Sequence, residues 1–159
     1  MKEAVIIAGP NGSGKSTLAG QLNLAVKFIN ADMYERDFFA HIEDREARER
    51  MAAVAVAQEI KDYLARGDSF AFETVFSTSH IPQFLSQAKS QGYTVAVHFI
   101  ATDNTKINIS RIARRVVEGG HDVPMQKVID RYGKSLAFYI DISYNITRLH
   151  YNKFNEKFK

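Results

Sequence analysis

At 159 residues, with 45% hydrophobic and 25% charged side chains, the chain has the length of one domain with a real core and is too apolar to be intrinsically disordered. The absence of cysteine excludes disulfides, thiolate metal sites and cysteine nucleophiles, and suits a cytosolic setting. The net charge of +3 is unevenly placed: Asp103 to Lys134 carries seven basic against four acidic residues, and Arg148 to Lys159 four against one. No apolar run is long enough to span a membrane, and the first predicted strand starts by the third or fourth residue, so neither a membrane partner nor a targeting segment is expected. The location expected is cytoplasmic.

Val5, Ile6 and Ile7 predict a buried strand. Gly9, Pro10, Asn11, Gly12, Ser13, Gly14, Lys15 and Ser16 follow it and fit G-x-x-x-x-G-K-[ST] without a mismatch; with Thr17 they form the expected cofactor-binding set. Glycines in such a loop let the backbone turn tightly and aim N–H groups at phosphate oxygens. The helix that begins near Lys15 points its positive end at the same anion. Lys15 reaches the β- and γ-phosphates, and the Ser16 hydroxyl suits Mg²⁺. The expectation is therefore ATP or GTP as ligand, with Mg²⁺.

Ser16 to Leu24 reads as a short helix, and Val26 to Ile29 as a second strand running out at Asn30-Ala31-Asp32. Ligands of open parallel α/β sheets sit at the carboxyl ends of strands, which places Asp32 where a functional carboxylate belongs. A helix N-cap is the alternative role for it, and the functional one is favoured by its position. Glu43 to Arg66 predicts a long helix, and its charged start, Glu43 to Arg50, reads as a solvated face. Gly67 is a natural stop. Ser69 to Val75 predicts a third strand closing on Glu73-Thr74, a second carboxylate at a strand end.

Ile81 to Gln91 predicts an amphipathic helix stopped by Gly92, and Tyr93 to Ala101 a fourth strand covered on both faces. His98 within it reads as a core histidine, since no metal-ligand partner is spaced beside it. Ile107 to Glu118 predicts a helix bearing Arg111, Arg114 and Arg115. Gly119-Gly120 ends it, His121 to Pro124 turns, and Met125 to Phe138 forms a helix bearing Arg131. Two basic helices around a glycine-containing turn predict a lid over phosphates, spanning 103–134. A fifth strand is expected around Tyr144 to Leu149. The alternation of strands and helices predicts a single three-layer α/β domain with a parallel sheet.

Phosphoryl transfer needs positioning and charge neutralisation. Lys15, Ser16, Asp32 and the arginines match a kinase of a small-molecule acceptor. A nucleotide-binding switch or interaction module is an alternative; it calls for an apolar strand closed by an acid, for which Phe70 to Glu73 is the nearest candidate. A polynucleotide kinase is another. A nucleic-acid partner is not expected, because the basic residues group on the predicted lid and the strands offer no aromatic stacking platform.

The P-loop, INAD at 29–32, SFAFETVFS at 69–77, GY at 92–93 and RRVVEGGHDVP at 114–124 with RY at 131–132 together resemble the zeta-toxin family, over about residues 4 to 136. The resemblance implies a P-loop kinase fold related to shikimate and nucleoside kinases, with ATP or GTP as donor and Mg²⁺. It implies phosphorylation of an amino-sugar nucleotide, UDP-N-acetylglucosamine, on a sugar hydroxyl. It casts Lys15 as the P-loop lysine, Ser16 as the metal-side hydroxyl and Asp32 as general base. Glu73 and Thr74 fall on the acceptor-orienting block. Arg115 and Arg131 match the paired lid arginines, with Arg111 as a further candidate, and His121 would shape the lid turn. An antitoxin, in this resemblance, is a separate protein. Ser135 to Lys159 lacks the Asp-Asn-Ser-like segment usual near the base pocket of the short members.

Overall fold

Runs of β-branched and aromatic residues set the sheet, and the register of its strands sets the site. In the computed structural model the described residues are 1–78, 80–142 and 148–153. The elements are β1 (Glu3–Ala8), α1 (Lys15–Gln21), β2 (Lys27–Ile29), α2 (Ala31–Phe38), α3 (Arg45–Arg66), β3 (Phe70–Thr74), α4 (His80–Ser90), β4 (Thr94–Ala101), α5 (Thr105–Val117), α6 (Met125–Ile142) and β5 (Arg148–Lys153). The strands form a parallel sheet in the order β2-β3-β1-β4-β5.

Side chains alternate along a strand, so a strand buried on both faces must be apolar throughout. In β1, Ala4, Ile6 and Ala8 join Phe70, Phe72, Val95, Val97 and Phe99 in the main core. Val5 and Ile7 face the other way and are buried too. Leu64 of α3, Leu85 and Ala88 of α4 and the partly buried Leu136 and Tyr139 of α6 pack on the first face. The result is the three-layer α/β/α arrangement. A small second cluster of Ile112, Val123 and Val128, flanked by Ile109, joins α5, the turn after it and α6. Among the described residues no helix is long and apolar enough to cross a membrane.

The helix ends follow capping chemistry. Asp44 caps α3, accepting from the backbone N–H groups of Glu46 and Ala47 at 2.9 and 3.2 Å, and Gly67 closes it in the left-handed region. Helix α2 removes the alternative, capping role of Asp32. Its cap is Asn30, whose Oδ1 accepts from the N–H groups of Asp32 and Met33 at 2.7 and 3.4 Å. Asp32 is therefore the second residue of the helix and leaves the capping to Asn30, so its carboxylate is not spent on the backbone. Helix α6 runs on to Ile142, past the expected Phe138. A fifth strand is found at Arg148–Lys153, overlapping the expected one at 148–149; residues 144–147 of that expectation lie outside the described residues.

Candidate active site

The register brings the site together. Ile7 pairs with Glu73 and Ala8 with Thr74, while Ile29 of β2 pairs with Phe72. The loop after β1, the end of β3 and the end of β2 thus emerge side by side at the carboxyl edge of the sheet, where ligands bind in this class of fold.

Two glycines of the loop are required by space as well as by backbone conformation. Gly9 has φ 146°, and a Cβ there would lie 2.1 Å from the carbonyl oxygen of Ile100. Gly12 has φ 75°, and its Cβ would lie 2.7 Å from the carbonyl oxygen of Asn108. Gly14 precedes α1 in the left-handed region and makes no side-chain capping bond, so nothing on the chain covers the first N–H groups of the helix from that position. Pro10 and Ser13 are buried and shape the loop from behind. Asn11, Gly12, Gly14, Lys15, Ser16 and Thr17 line the cleft in front.

Lys15 is 7% exposed, and its Nζ donates to the Pro10 carbonyl at 3.0 Å. Burial pushes its ammonium below the usual lysine range; the carboxylates of Glu73 and Asp32 oppose that, and Arg115 and Arg131 add to it. Glu73 stands 3.8 Å from Lys15 Nζ and accepts from Ser16 Oγ at 3.0 Å and from Asn30 Nδ2 at 2.9 Å. One carboxylate therefore binds the P-loop lysine, the P-loop serine and the cap of α2. Ser16 Oγ and Glu73 form a pair of hard oxygens, a donor set that suits Mg²⁺, an ion that keeps few protein ligands and takes phosphate oxygens and water for the rest. No larger cluster of acidic or imidazole ligands occurs among the described residues. Thr74 faces inward on its neighbours: its carbonyl accepts from Gly9 N at 3.3 Å and its Oγ1 from Phe76 N at 3.1 Å. Phe76 is buried and holds φ 62°, a strained backbone for a bulky residue, wedged against Phe99.

Asp32 is exposed and lines the same cleft; among the described residues its carboxylate makes no hydrogen bond or ion pair. From the other side come the arginines. Arg131 Nη1 donates to Asn11 Oδ1 at 3.3 Å, and Arg111 Nη1 to the Ser13 carbonyl at 3.4 Å. Arg115 Nη2 donates to the His121 carbonyl at 2.5 Å, and its Nε is buried without a partner among the described residues. Burial lowers Arg131 from the ordinary guanidinium value, with Glu49 opposing. All the expected side chains from Lys15 to Arg131 thus border one cleft of about 710 Å³.

Several contributors carry no sequence signal of their own. Asn108 Nδ2 donates to the Asn11 carbonyl at 2.6 Å, and Thr102 Oγ1 donates to Asn108 Oδ1, so α5 grips the P-loop directly. The expected solvated face of α3 is also corrected. Arg45 and Glu49 reach across to the turn after α5: Glu49 lies 3.0 Å from Arg45, 3.4 Å from His121 and 3.5 Å from Lys127, and Arg45 also bonds His121 Nε2 and the Asp122 carbonyl. Glu49 is partly desolvated, but the Arg45 hydrogen bond with Lys127 and His121 nearby outweighs that and holds its carboxyl below the usual range. The periodicity of α3 showed charged residues at its start but not what lay opposite them. His98, read as a core histidine, is half-buried and stacks on His150 of β5, ring centroids 4.6 Å apart.

Comparison with known proteins agrees with this geometry at the level of fold. An uncharacterized protein of Haemophilus influenzae is 29% identical over 138 residues, 82% of this chain and 92% of its own length. A candidate kinase of Chloroflexus aurantiacus superposes with a TM-score of 0.69 at 18% identity, over 96% of this chain and 85% of that one. A structure from the PezAT toxin–antitoxin system of Streptococcus pneumoniae also gives 0.69, at 14% identity, over 96% of this chain and 68% of that one. The shared architecture is that of P-loop kinases. The profile of a family described as an AAA domain matches residues 5–137, and the chain belongs to that family.

Proposed function

We propose that this chain is a P-loop kinase that moves the γ-phosphoryl group of ATP or GTP to a hydroxyl of a small molecule. The observation that carries the reading is the convergence, around one cleft, of Lys15 and Ser16 of α1, Glu73 of β3, Asp32 of α2 and Arg115 and Arg131 of α5 and α6. The loop Gly9 to Thr17 and the open N-terminus of α1 hold the triphosphate, and Lys15 pulls on its β- and γ-oxygens. Ser16 Oγ and the Glu73 carboxylate would hold Mg²⁺, which supplies charge neutralisation between the phosphates when bound. The hydrogen bond from Ser16 favours this metal-side role for Glu73 over direct contact with the acceptor.

Asp32, unengaged and exposed to the cleft, takes the acceptor proton as the acceptor oxygen bonds to the γ-phosphorus and the bridging oxygen departs with the nucleoside diphosphate. Residues 103–134 act as a lid. It lays Arg115 and Arg131 on the migrating phosphoryl group, with Arg111 beside the P-loop. His121 and the Glu49 cluster seat the lid on α3. Two finer readings rest on the zeta-toxin resemblance: UDP-N-acetylglucosamine as acceptor, and a separate antitoxin as partner. The Streptococcus pneumoniae neighbour, named for a toxin–antitoxin system, supports the second. A cytoplasmic setting suits ATP as donor.

The test is mass-spectrometric detection of phosphorylated product from ATP, Mg²⁺ and a panel of nucleotide sugars, sugars, nucleosides and oligonucleotide ends, beside Lys15→Ala. Product with the unaltered chain and a loss of about a hundredfold or more in the variant supports the reading. Product unaffected by Lys15→Ala refutes the P-loop assignment. ATP binding without any product favours a nucleotide-binding module.

A further inference from the structure

Two glycines follow α5, and a helix stop requires only one. Gly119 lies in the left-handed region at φ 84°, and its N–H donates to the Val116 carbonyl at 3.0 Å. The N–H of Gly120 donates to the Arg115 carbonyl at 2.8 Å. In a helix end closed by this pair of bonds, the residue after the left-handed one frequently packs its side chain back on the residue that its N–H bonds. Gly120 holds that place without a side chain. Its backbone does not call for glycine, since its φ is not in the left-handed region. Space does. A Cβ on Gly120 would lie 2.5 Å from Cγ of Arg115, 3.3 Å from its Cδ and 3.0 Å from its carbonyl oxygen. The stem of Arg115 runs where the usual side chain would be.

From that seat Arg115 borders the cleft. Its Nη2 donates to the His121 carbonyl at 2.5 Å, the only hydrogen bond of its side chain among the described residues. The peptide that carries this carbonyl is tied to α3 on both sides. His121 Nε2 lies 3.2 Å from Arg45 Nη2 and 3.4 Å from a Glu49 oxygen, and the Asp122 carbonyl accepts from Arg45. Glu49 in turn holds Arg45 at 3.0 Å. One residue further on, Val123 is buried with Ile112 and Val128, which anchors the turn from below. A long, rotamer-rich side chain is thus fixed at its stem by Gly120 and at its tip by a carbonyl that α3 holds in place. Such fixing matters for a group that acts on a reacting phosphoryl, where a misplacement of about 1 Å can cost about a hundredfold in rate.

We infer that Gly120, Arg45 and Glu49 are positioning residues for phosphoryl transfer: Gly120 seats the stem of Arg115, and the Arg45–Glu49 pair fixes the His121 carbonyl that holds its tip. The inference rests on the kinase reading and deepens it, because it assigns to these three residues an effect exerted through Arg115 rather than on the phosphoryl group itself. Their substitution therefore slows turnover at an unchanged KM for ATP, and the effect vanishes once the Arg115 side chain is removed.

The test uses the full chain as Gly120→Ala, Glu49→Gln and Arg115→Ala, and as the two doubles that carry Arg115→Ala. Nitrogen NMR of labelled arginine side chains, with the Arg115 Nε–H resonance assigned by its loss in Arg115→Ala, reads the guanidinium directly and needs no acceptor. Gly120→Ala and Glu49→Gln should each shift or broaden that resonance; an Arg115 resonance unmoved by both overturns the inference. Transfer is then measured with ATP and Mg²⁺ on an acceptor that the unaltered chain phosphorylates. Gly120→Ala should lower kcat by at least about tenfold and Glu49→Gln by at least about threefold, with KM for ATP within about twofold. Added to Arg115→Ala, either substitution should cost less than about twofold more. Losses that multiply in the doubles, or a KM that rises with the fall in kcat, give these residues a role apart from Arg115 and overturn the inference. Displaced resonances in a chain that phosphorylates no acceptor keep the seat of Arg115 and remove the kinase; unmoved resonances in a chain that does transfer phosphate remove the seat and keep the kinase.

Discussion

Glu73→Gln isolates the charge at the centre of the site while keeping its shape. Glutamine retains a carbonyl oxygen for Ser16 Oγ and Asn30 Nδ2, now 3.0 and 2.9 Å from the carboxylate, and removes the negative charge facing Lys15 at 3.8 Å. Breaking a fully buried ion pair by neutralising one partner costs about 3–5 kcal/mol. Here the pair is long, Glu73 is 15% exposed and Asp32 still acts on Lys15, so the loss belongs at about 2–3 kcal/mol. In a domain of this size that is a fall in Tm of roughly 4–12 °C. A triphosphate in the cleft gives Lys15 the anion it has lost. ATP in the presence of a chelator should therefore raise the Tm of the variant more than that of the unaltered chain and narrow the gap. With Mg²⁺ present, transfer should remain impaired, because the metal-side oxygen is now neutral. Thermal melts of both proteins, with and without ATP and chelator, read all of this. A variant that melts with the unaltered chain, or a gap that ATP leaves unchanged, refutes the argument that Glu73 holds the charge of Lys15.

Arg115→Ala and Arg131→Ala should each lower turnover by about a hundredfold or more while ATP affinity changes by less than about threefold, as expected for groups that act on the transition state. Steady-state kinetics beside equilibrium ATP binding decides it; equal losses in both make them ground-state anion clamps. His98 makes a pH prediction. Burial, then the adjacent His150 ring, holds its imidazole below the ordinary 6.5. Between the two values the unfolded chain binds more protons than the folded one. The stability that goes with the neutral ring is therefore complete above about pH 6.5 and is lost as pH falls through that value towards the folded one. Melts between about pH 7.5 and pH 5 should fall more steeply for the unaltered chain than for His98→Gln; parallel curves contradict the assignment.

The sheet and the P-loop were legible because they rest on local signals. Strands such as Thr94–Ala101 are apolar on both faces, and the loop motif specifies its own backbone. Asp32, Glu73 and the arginines stood out in the sequence as charged residues at strand ends and on basic helices, and the structure brings them to one cleft. What the sequence did not carry was partnership. Asn30 caps α2 and bonds Glu73, yet the sequence offered Asp32, two residues on, as the alternative cap, because Asn and Asp cap equally well. Arg45 and Glu49 looked solvated because charge at a helix start gives no hint of a turn lying opposite it, more than 70 residues later in the chain. Asn108, buried against the P-loop, looks like any polar helix residue until β1 and β4 pair and bring α5 over the loop.

The central claim is catalysis from this cleft with Asp32 as base, and Asp32→Asn tests it most directly. Asparagine keeps the size and the exposed position and removes the proton acceptor. ATP binding by calorimetry and transfer by mass spectrometry, on an acceptor that the unaltered chain phosphorylates, are measured side by side. The account predicts a fall in transfer of about a hundredfold or more with ATP affinity within about threefold of the original. Transfer that survives the substitution at full rate would contradict it.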